Sequence, residues 1–289
     1  VTRVPAWSMP LFFVVGAVSQ YVGAAVGVFL FQTTDPAAVA WLRAAAAAVA
    51  LLAWRRPWRT RWTRRSVGAA GGFGVVTVAM NVTFFEAIAR IPLGTAVAIE
   101  FLGPVAVAVV GSRRGRDLVA VLLAVVGVVL VAGVQLGVNL AGVGFALLAA
   151  ALWAGYILLG KRVADAGSGL DSLAVGMTVA ALVLAAPLLA HQLTSDASVF
   201  ADWHVWALGA AVGVLSTAVP YGLDQVVLRR MGRARFALLL ALLPATAAVV
   251  GAVALAQRPT IAEVAGIALV MAALVVSADR GDTVGSNGN

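Results

Sequence analysis

The 289-residue chain has no cysteine, which excludes disulfides and thiolate metal centres. It has two histidines, His191 and His204, and no HExxH, Cys/His cluster or GxSxG from which hydrolytic or metal chemistry is assembled. No enzyme, metal or cofactor is therefore expected. Nor does it carry a recognisable ion filter or rings of charge. Charged residues make up only 11% of the chain, against about 25% in ordinary soluble domains. What replaces them is hydrophobic: 62% of the residues, against about 45–50%. These proportions imply an all-α polytopic membrane protein.

Ten apolar runs of suitable length lie near residues 9–31, 36–54, 67–89, 93–111, 118–136, 140–160, 172–190, 204–227, 236–256 and 260–278. The first is too long for the apolar core of a signal peptide and is read as a retained span. The net charge of +8 sits mostly in alternate connections. Arg55, Arg56, Arg59, Arg61, Arg64 and Arg65 follow the second run, Arg113, Arg114 and Arg116 the fourth, Lys161 and Arg162 the sixth, and Arg229, Arg230, Arg233 and Arg235 the eighth. The other connections hold only Arg90 and Arg258 among basic residues, with Asp35, Asp196, Asp202 and Glu263. Basic loops stay in the cytoplasm, so both termini are expected there, including a disordered tail at 279–289. This placement implies contact with anionic membrane lipid and gives no reason to invoke nucleic acid. Trp7, Trp54, Trp58, Trp62, Trp203 and Trp206 fall at span ends, as interfacial aromatics do.

The chain also repeats itself. Pro104–Gly111 and Pro244–Gly251 share Pro, Ala, Val, Val and Gly at equivalent positions, 140 residues apart. The same offset relates Arg90 to Arg230, and an offset of 139 relates Gly127 to Gly266. Division near residue 138 gives two five-span units, 1–138 and 139–278. An odd number of spans turns the second unit upside down, and such inverted pairs bind substrate at their interface near mid-membrane.

Ionisable groups inside spans are costly and usually face a wet cavity or another polar group. Glu100 and Arg43 each lie about seven residues inside their spans from the outer side, roughly 10 Å deep at the helical rise. Glu86 lies nearer the boundary, one turn from Arg90. Matching depth allows an Arg43–Glu100 or Arg43–Glu86 interaction. Glu100 is then a proton-coupling candidate and Arg43 a bidentate anchor for a substrate carboxylate, or the two form a fixed structural pair. Asn81 in the third span, and Ser19, Gln20 and Tyr21 in the first, offer hydrogen bonds to a substrate or a neighbouring helix. Trp153 and Tyr156 share a helix face, as an aromatic wall or as packing. Asp224 serves as an inner gate or pairs with Arg229, the pairing being preferred. Pro104 and Pro244 are expected to kink their spans.

The segments IPLGTAVAIEFLGP (Ile91–Pro104), SRR (Ser112–Arg114), WAGYILLGKR (Trp153–Arg162) and LSTAVPYGLDQ (Leu215–Gln225), with Arg43 in WLR, resemble the EamA-type branch of the drug/metabolite transporter superfamily. The pattern is most similar to that of the inner-membrane threonine/homoserine exporter group. The resemblance implies ten helices in two inverted repeats and proton-driven export of small metabolites. Glu100 matches the family's fourth-span carboxylate, and Trp153 and Tyr156 match its sixth-span aromatic motif. Two departures stand out. Leu243 precedes Pro244 where relatives often have glutamate, and Ala256–Gln257 replaces a frequent Gly-Glu. The expected activity is proton-coupled export of small amino acids. The alternatives are export of cationic drugs or other amphiphiles, against which the uncharged first span argues, and a non-transporting scaffold or sensor. A homodimer stays open.

Overall fold

The computed structural model describes residues 8–110, 115–136, 139–165, 169–220, 223, 227 and 239–278. These residues form helices joined by short turns: α1 (Met9–Leu30), α2 (Pro36–Arg55), α3 (Arg64–Ile88), α4 (Leu93–Glu100), α5 (Leu102–Val110), α6 (Gly115–Leu136), α7 (Leu140–Asp165), α8 (Gly169–Val183), α9 (Ala185–Ser195), α10 (Trp203–Gly213), α11 (Leu243–Ala254) and α12 (Ile261–Ala278). Every apolar run of the sequence contains one of these helices or a broken pair. Four of the described helices, α1, α2, α3 and α7, are long and apolar enough to cross a membrane, and α8–α9 makes a fifth if its 43° bend lies within one span. The other runs hold shorter apolar helices. The protein is all-helical and built for a bilayer.

Helix ends follow local chemistry. Pro36 opens α2 just after Asp35, where its missing N–H costs nothing. Thr63 and Ser66 form a reciprocal cap on α3, and Thr260 and Glu263 do the same for α12. Asp202 caps α10, and hydrogen bonds from the backbone N–H and ring of His204 hold its carboxyl below the usual carboxylate range.

Prolines set the breaks. Pro104 has no N–H to donate to the Glu100 carbonyl one turn earlier, and the chain leaves the helix at Phe101 between α4 and α5. A turn at Ala241–Leu242 likewise precedes Pro244, which sits in the first turn of α11. The two interruptions occupy equivalent places 140 residues apart.

Packing depends on small residues because lipid gives apolar helices no reason to leave it. The principal helix pairs are α6–α12, α3–α7, α3–α8, α2–α8, α2–α10, α5–α7, α4–α7, α1–α11, α4–α11, α2–α3 and α1–α10. At α6–α12, Gly127 and Gly266 face each other. A Cβ on either would lie 2.7 Å or 2.6 Å from the other's carbonyl oxygen. At α2–α8, the Trp41 indole N–H donates to the Ala181 carbonyl at 2.8 Å.

Ala256, at the turn after α11, adopts a left-handed φ of 54°. An L side chain there costs roughly 1–2 kcal/mol. Ala256→Gly relieves that strain but loosens the unfolded chain by about 0.4–1 kcal/mol. The variant is expected to be more stable by about 1 kcal/mol, seen as a higher melting temperature in detergent.

Candidate functional site

Polar groups from α1, α2, α4 and the turn that follows α10 come together in the buried interior. Arg43 of α2 and Glu100 at the end of α4 are both buried, 9% and 8% exposed, and Tyr21 of α1 lies with them. The three groups are close enough for the fields of Arg43 and Glu100 to act on one another and on the Tyr21 hydroxyl. No ion pair joins Arg43 to Glu100 among the described residues.

The backbone explains where Arg43 points. Beyond Gly213, α10 widens into a π-turn over Val214–Ala218. Pro220 lies four residues after Ser216 and supplies no N–H, so the Ser216 carbonyl lacks its α-helical partner. Arg43 Nη2 donates to that carbonyl at 3.2 Å, and Arg43 Nε donates to Thr217 Oγ1 at 3.3 Å. The Leu215 carbonyl accepts the Ser19 hydroxyl at 2.8 Å. Phe85 of α3 places its ring 5.5 Å from the guanidinium carbon, a cation–π contact.

Glu100 is held differently. It accepts no hydrogen bond among the described residues. Every buried side-chain oxygen or nitrogen there that is sealed from open space does have a partner. The Glu100 carboxylate oxygens are therefore not fully sealed by the packing around them. The same reasoning applies to the Asn81 amide, which is buried on α3 one turn from Phe85 and has no hydrogen-bond partner among the described residues.

Aromatic rings line one flank. Trp153 meets Phe101, the residue after Glu100, edge to face at 4.7 Å, and Tyr156 stacks on Phe73 at 5.0 Å. Both rings project from the same side of α7. Neighbouring second-half residues fix α4 itself. Gln257 Oε1 accepts the Leu93 N–H at 3.0 Å, and Thr95 Oγ1 donates to the buried Glu263 at 2.9 Å. Gln257 thus caps the helix that carries Glu100.

The expected residues do not all converge. The Arg43–Glu86 interaction is not formed: Glu86 pairs instead with Arg90 one turn along its own helix, and Arg90 lies over the Phe145 ring. Sequence spacing alone favours that local pair. Asp224 lies outside the described residues, as does the tail at 279–289. Sequence reasoning gave no role to Ser216 and Thr217 and did not separate Tyr21 from its polar neighbours. Pro220 one turn after Ser216 is the signal that marks the first two, by the logic that links Pro104 to Glu100. An apolar groove of about 320 Å³ between α11 and α12 is lined by residues such as Ala245, Val249, Val264 and Met271. It offers no polar partner and is not part of this site.

A buried cation and a buried anion, with hydroxyls beside them, suit a small zwitterion. Its carboxylate and ammonium match the guanidinium and the carboxylate respectively.

Comparison with known proteins agrees with this architecture. Residues 140–278 match the EamA-like transporter family. The chain is 37% identical over 285 residues to the threonine/homoserine exporter RhtA of Escherichia coli K12, covering 98% of this chain and 93% of that one. It is 36% identical to the threonine/homoserine exporter RhtA of Salmonella typhimurium LT2 over the same shares. A solved crystal structure, 19% identical, superposes with a TM-score of 0.56 over 94% of this chain and 96% of that one, a likeness of fold. Identity of this order along almost the whole sequence decides the matter: the chain belongs to the EamA-like transporter family.

Proposed function

We propose that this protein is a bacterial inner-membrane exporter of threonine, homoserine and similar small amino acids, driven by protons through alternating access. The observation that carries the reading is the buried Arg43–Glu100 arrangement in a chain so close to exporters of those amino acids. Arg43 takes the substrate carboxylate in place of the Ser216 and Thr217 oxygens, Glu100 takes the ammonium, and Tyr21 and Asn81 face the remainder. A protonated Glu100 cannot balance an ammonium. Proton and substrate therefore exclude one another at this carboxylate, which is the minimal device for exchange.

The reading includes ten spans in two inverted units, 1–138 and 139–278, with both termini cytoplasmic. Most of the helix pairing supports it, although the α2–α3 pair has no comparable counterpart among the described residues. Exchanging every predicted span with the one five later turns α3–α7 into α1–α10, α3–α8 into α2–α10, and α4 and α5 against α7 into α1–α11. The same exchange leaves α2–α8, α4–α11 and α6–α12 unchanged. A pseudo-two-fold axis would bring equivalent residues into mutual contact. Gly127 with Gly266, and Trp41 with Ala181, are such contacts at offsets of 139 and 140. The family match at 140–278 coincides with the second unit.

Export is tested in cells that accumulate threonine and homoserine. Expression of this chain is expected to lower both inside and raise both in the medium, and to relieve growth inhibition by added homoserine. Unchanged pools with the protein present in the membrane would reject these substrates.

A further inference from the structure

We propose that the connection between α2 and α3, residues 54–65, is a preformed binding platform for the headgroup of an anionic phospholipid. The segment reads WRRPWRTRWTRR. It is built rather than loose. Arg55 pairs with Asp171 of α8 at 2.8 Å, and the Thr60 hydroxyl donates to the same carboxylate at 3.2 Å. The Trp62 indole donates to the Pro57 carbonyl at 2.9 Å and closes the loop on itself. Arg56 turns the chain with a left-handed φ of 51°, a short 3₁₀ turn follows at Pro57–Arg59, and the Thr63–Ser66 cap ends the loop. Among the described residues a single acidic residue, Asp171, braces this loop, and Arg55 and Thr60 occupy it.

The remaining five arginines, Arg56, Arg59, Arg61, Arg64 and Arg65, are exposed. None of them makes an ion pair among the described residues. Five like charges within ten residues repel one another, and no ion pair among the described residues offsets that repulsion. The counter-charge comes from outside. Its source is set by the tryptophans: Trp54 and Trp58 are 51% and 65% exposed at the end of a membrane-crossing helix. Indoles at such a position rest at the headgroup level. Arginine forks there meet phosphodiesters, which they grip bidentately. A soluble phosphate ester has the same charge but no acyl chains to hold it beside Trp54 and Trp58.

Each basic residue near an anionic surface contributes roughly fivefold in affinity, so removing three amounts to about 100-fold. The test is titration of purified protein in neutral detergent with phosphatidylglycerol, phosphatidylcholine and soluble glycerophosphate, read by native mass spectrometry. Binding of phosphatidylglycerol well above the other two is expected, weakening with salt. The combined Arg56→Gln, Arg59→Gln, Arg61→Gln variant is expected to lose about 100-fold, while the corresponding lysine variant, which keeps the charges without the forks, loses less. Salt sensitivity in the wild type and the lysine variant keep the test decisive should the glutamine variant fold poorly. Equal binding of the two lipids, glycerophosphate binding as tightly as phosphatidylglycerol, or full binding by the glutamine variant would each overturn the proposal.

Discussion

Glu100→Gln is expected to abolish the coupling of transport to a pH gradient while leaving a folded protein in the membrane. Glutamine keeps the shape of glutamate but carries no charge and binds no proton near neutral pH. The Glu100 carboxylate makes no hydrogen bond among the described residues, so the substitution breaks no protein–protein hydrogen bond there. Arg43 keeps its bonds to Thr217 and Ser216. What disappears is one charge-assisted contact to the substrate ammonium, worth ~1.5–3 kcal/mol. Substrate binding should weaken by about 10- to 150-fold. Calorimetric titration with threonine measures that loss, and a melting temperature close to wild type establishes that the fold survived. Wild-type binding by Glu100→Gln would remove the carboxylate from the site.

The second large effect concerns assembly. Gly74 of α3 and Gly176 of α8 touch backbone to backbone. A Cβ on Gly74 would stand 2.0 Å from the Gly176 carbonyl oxygen and 2.1 Å from its carbon. No rotamer change relieves a clash with backbone, so α3 and α8 must separate. Overpacking of this kind costs about 1–3 kcal/mol or more. Gly74→Ala is expected to lower expression and melting temperature sharply. Gly72, on the same helix, has nothing within 4 Å of its notional Cβ. Gly72→Ala therefore carries only the helix-propensity gain, about 0.8–1 kcal/mol in favour of alanine. The contrast between two glycines two residues apart separates interhelical contact from propensity. Equal melting temperatures for the two variants would mean that α3 and α8 do not pack as described.

The membrane class and the helical runs were legible because hydropathy over about twenty residues is a property of a segment, insensitive to what surrounds it. Arg43 and Glu100 were legible for a related reason: depth follows from counting along a helix. Which way a helix is rotated does not. Depth alone left Glu86 as a partner for Arg43, and the structure gives it to Arg90 because a residue one turn away is always within reach. Ser216 and Thr217 were harder to see, because their roles depend on the π-turn that aims carbonyls beyond α10 at α1 and α2. Trp153 and Tyr156 do lie on one face, yet each meets a different aromatic partner.

Both family departures stand near the second-unit proline helix. At the first, Leu243 is a buried apolar residue at the start of α11, so Glu100 has no carboxylate counterpart at that position. At the second, Gln257 keeps a structural task by capping α4 without a charge. On the proposed reading, proton coupling then rests on Glu100.

That dependence is measured most directly with purified wild-type protein in sealed proteoliposomes loaded with labelled threonine or homoserine, with and without an imposed pH gradient. Efflux accelerated by protons moving against the substrate, for both amino acids, is the expected result. Efflux at the same rate whatever the gradient would contradict proton-coupled export.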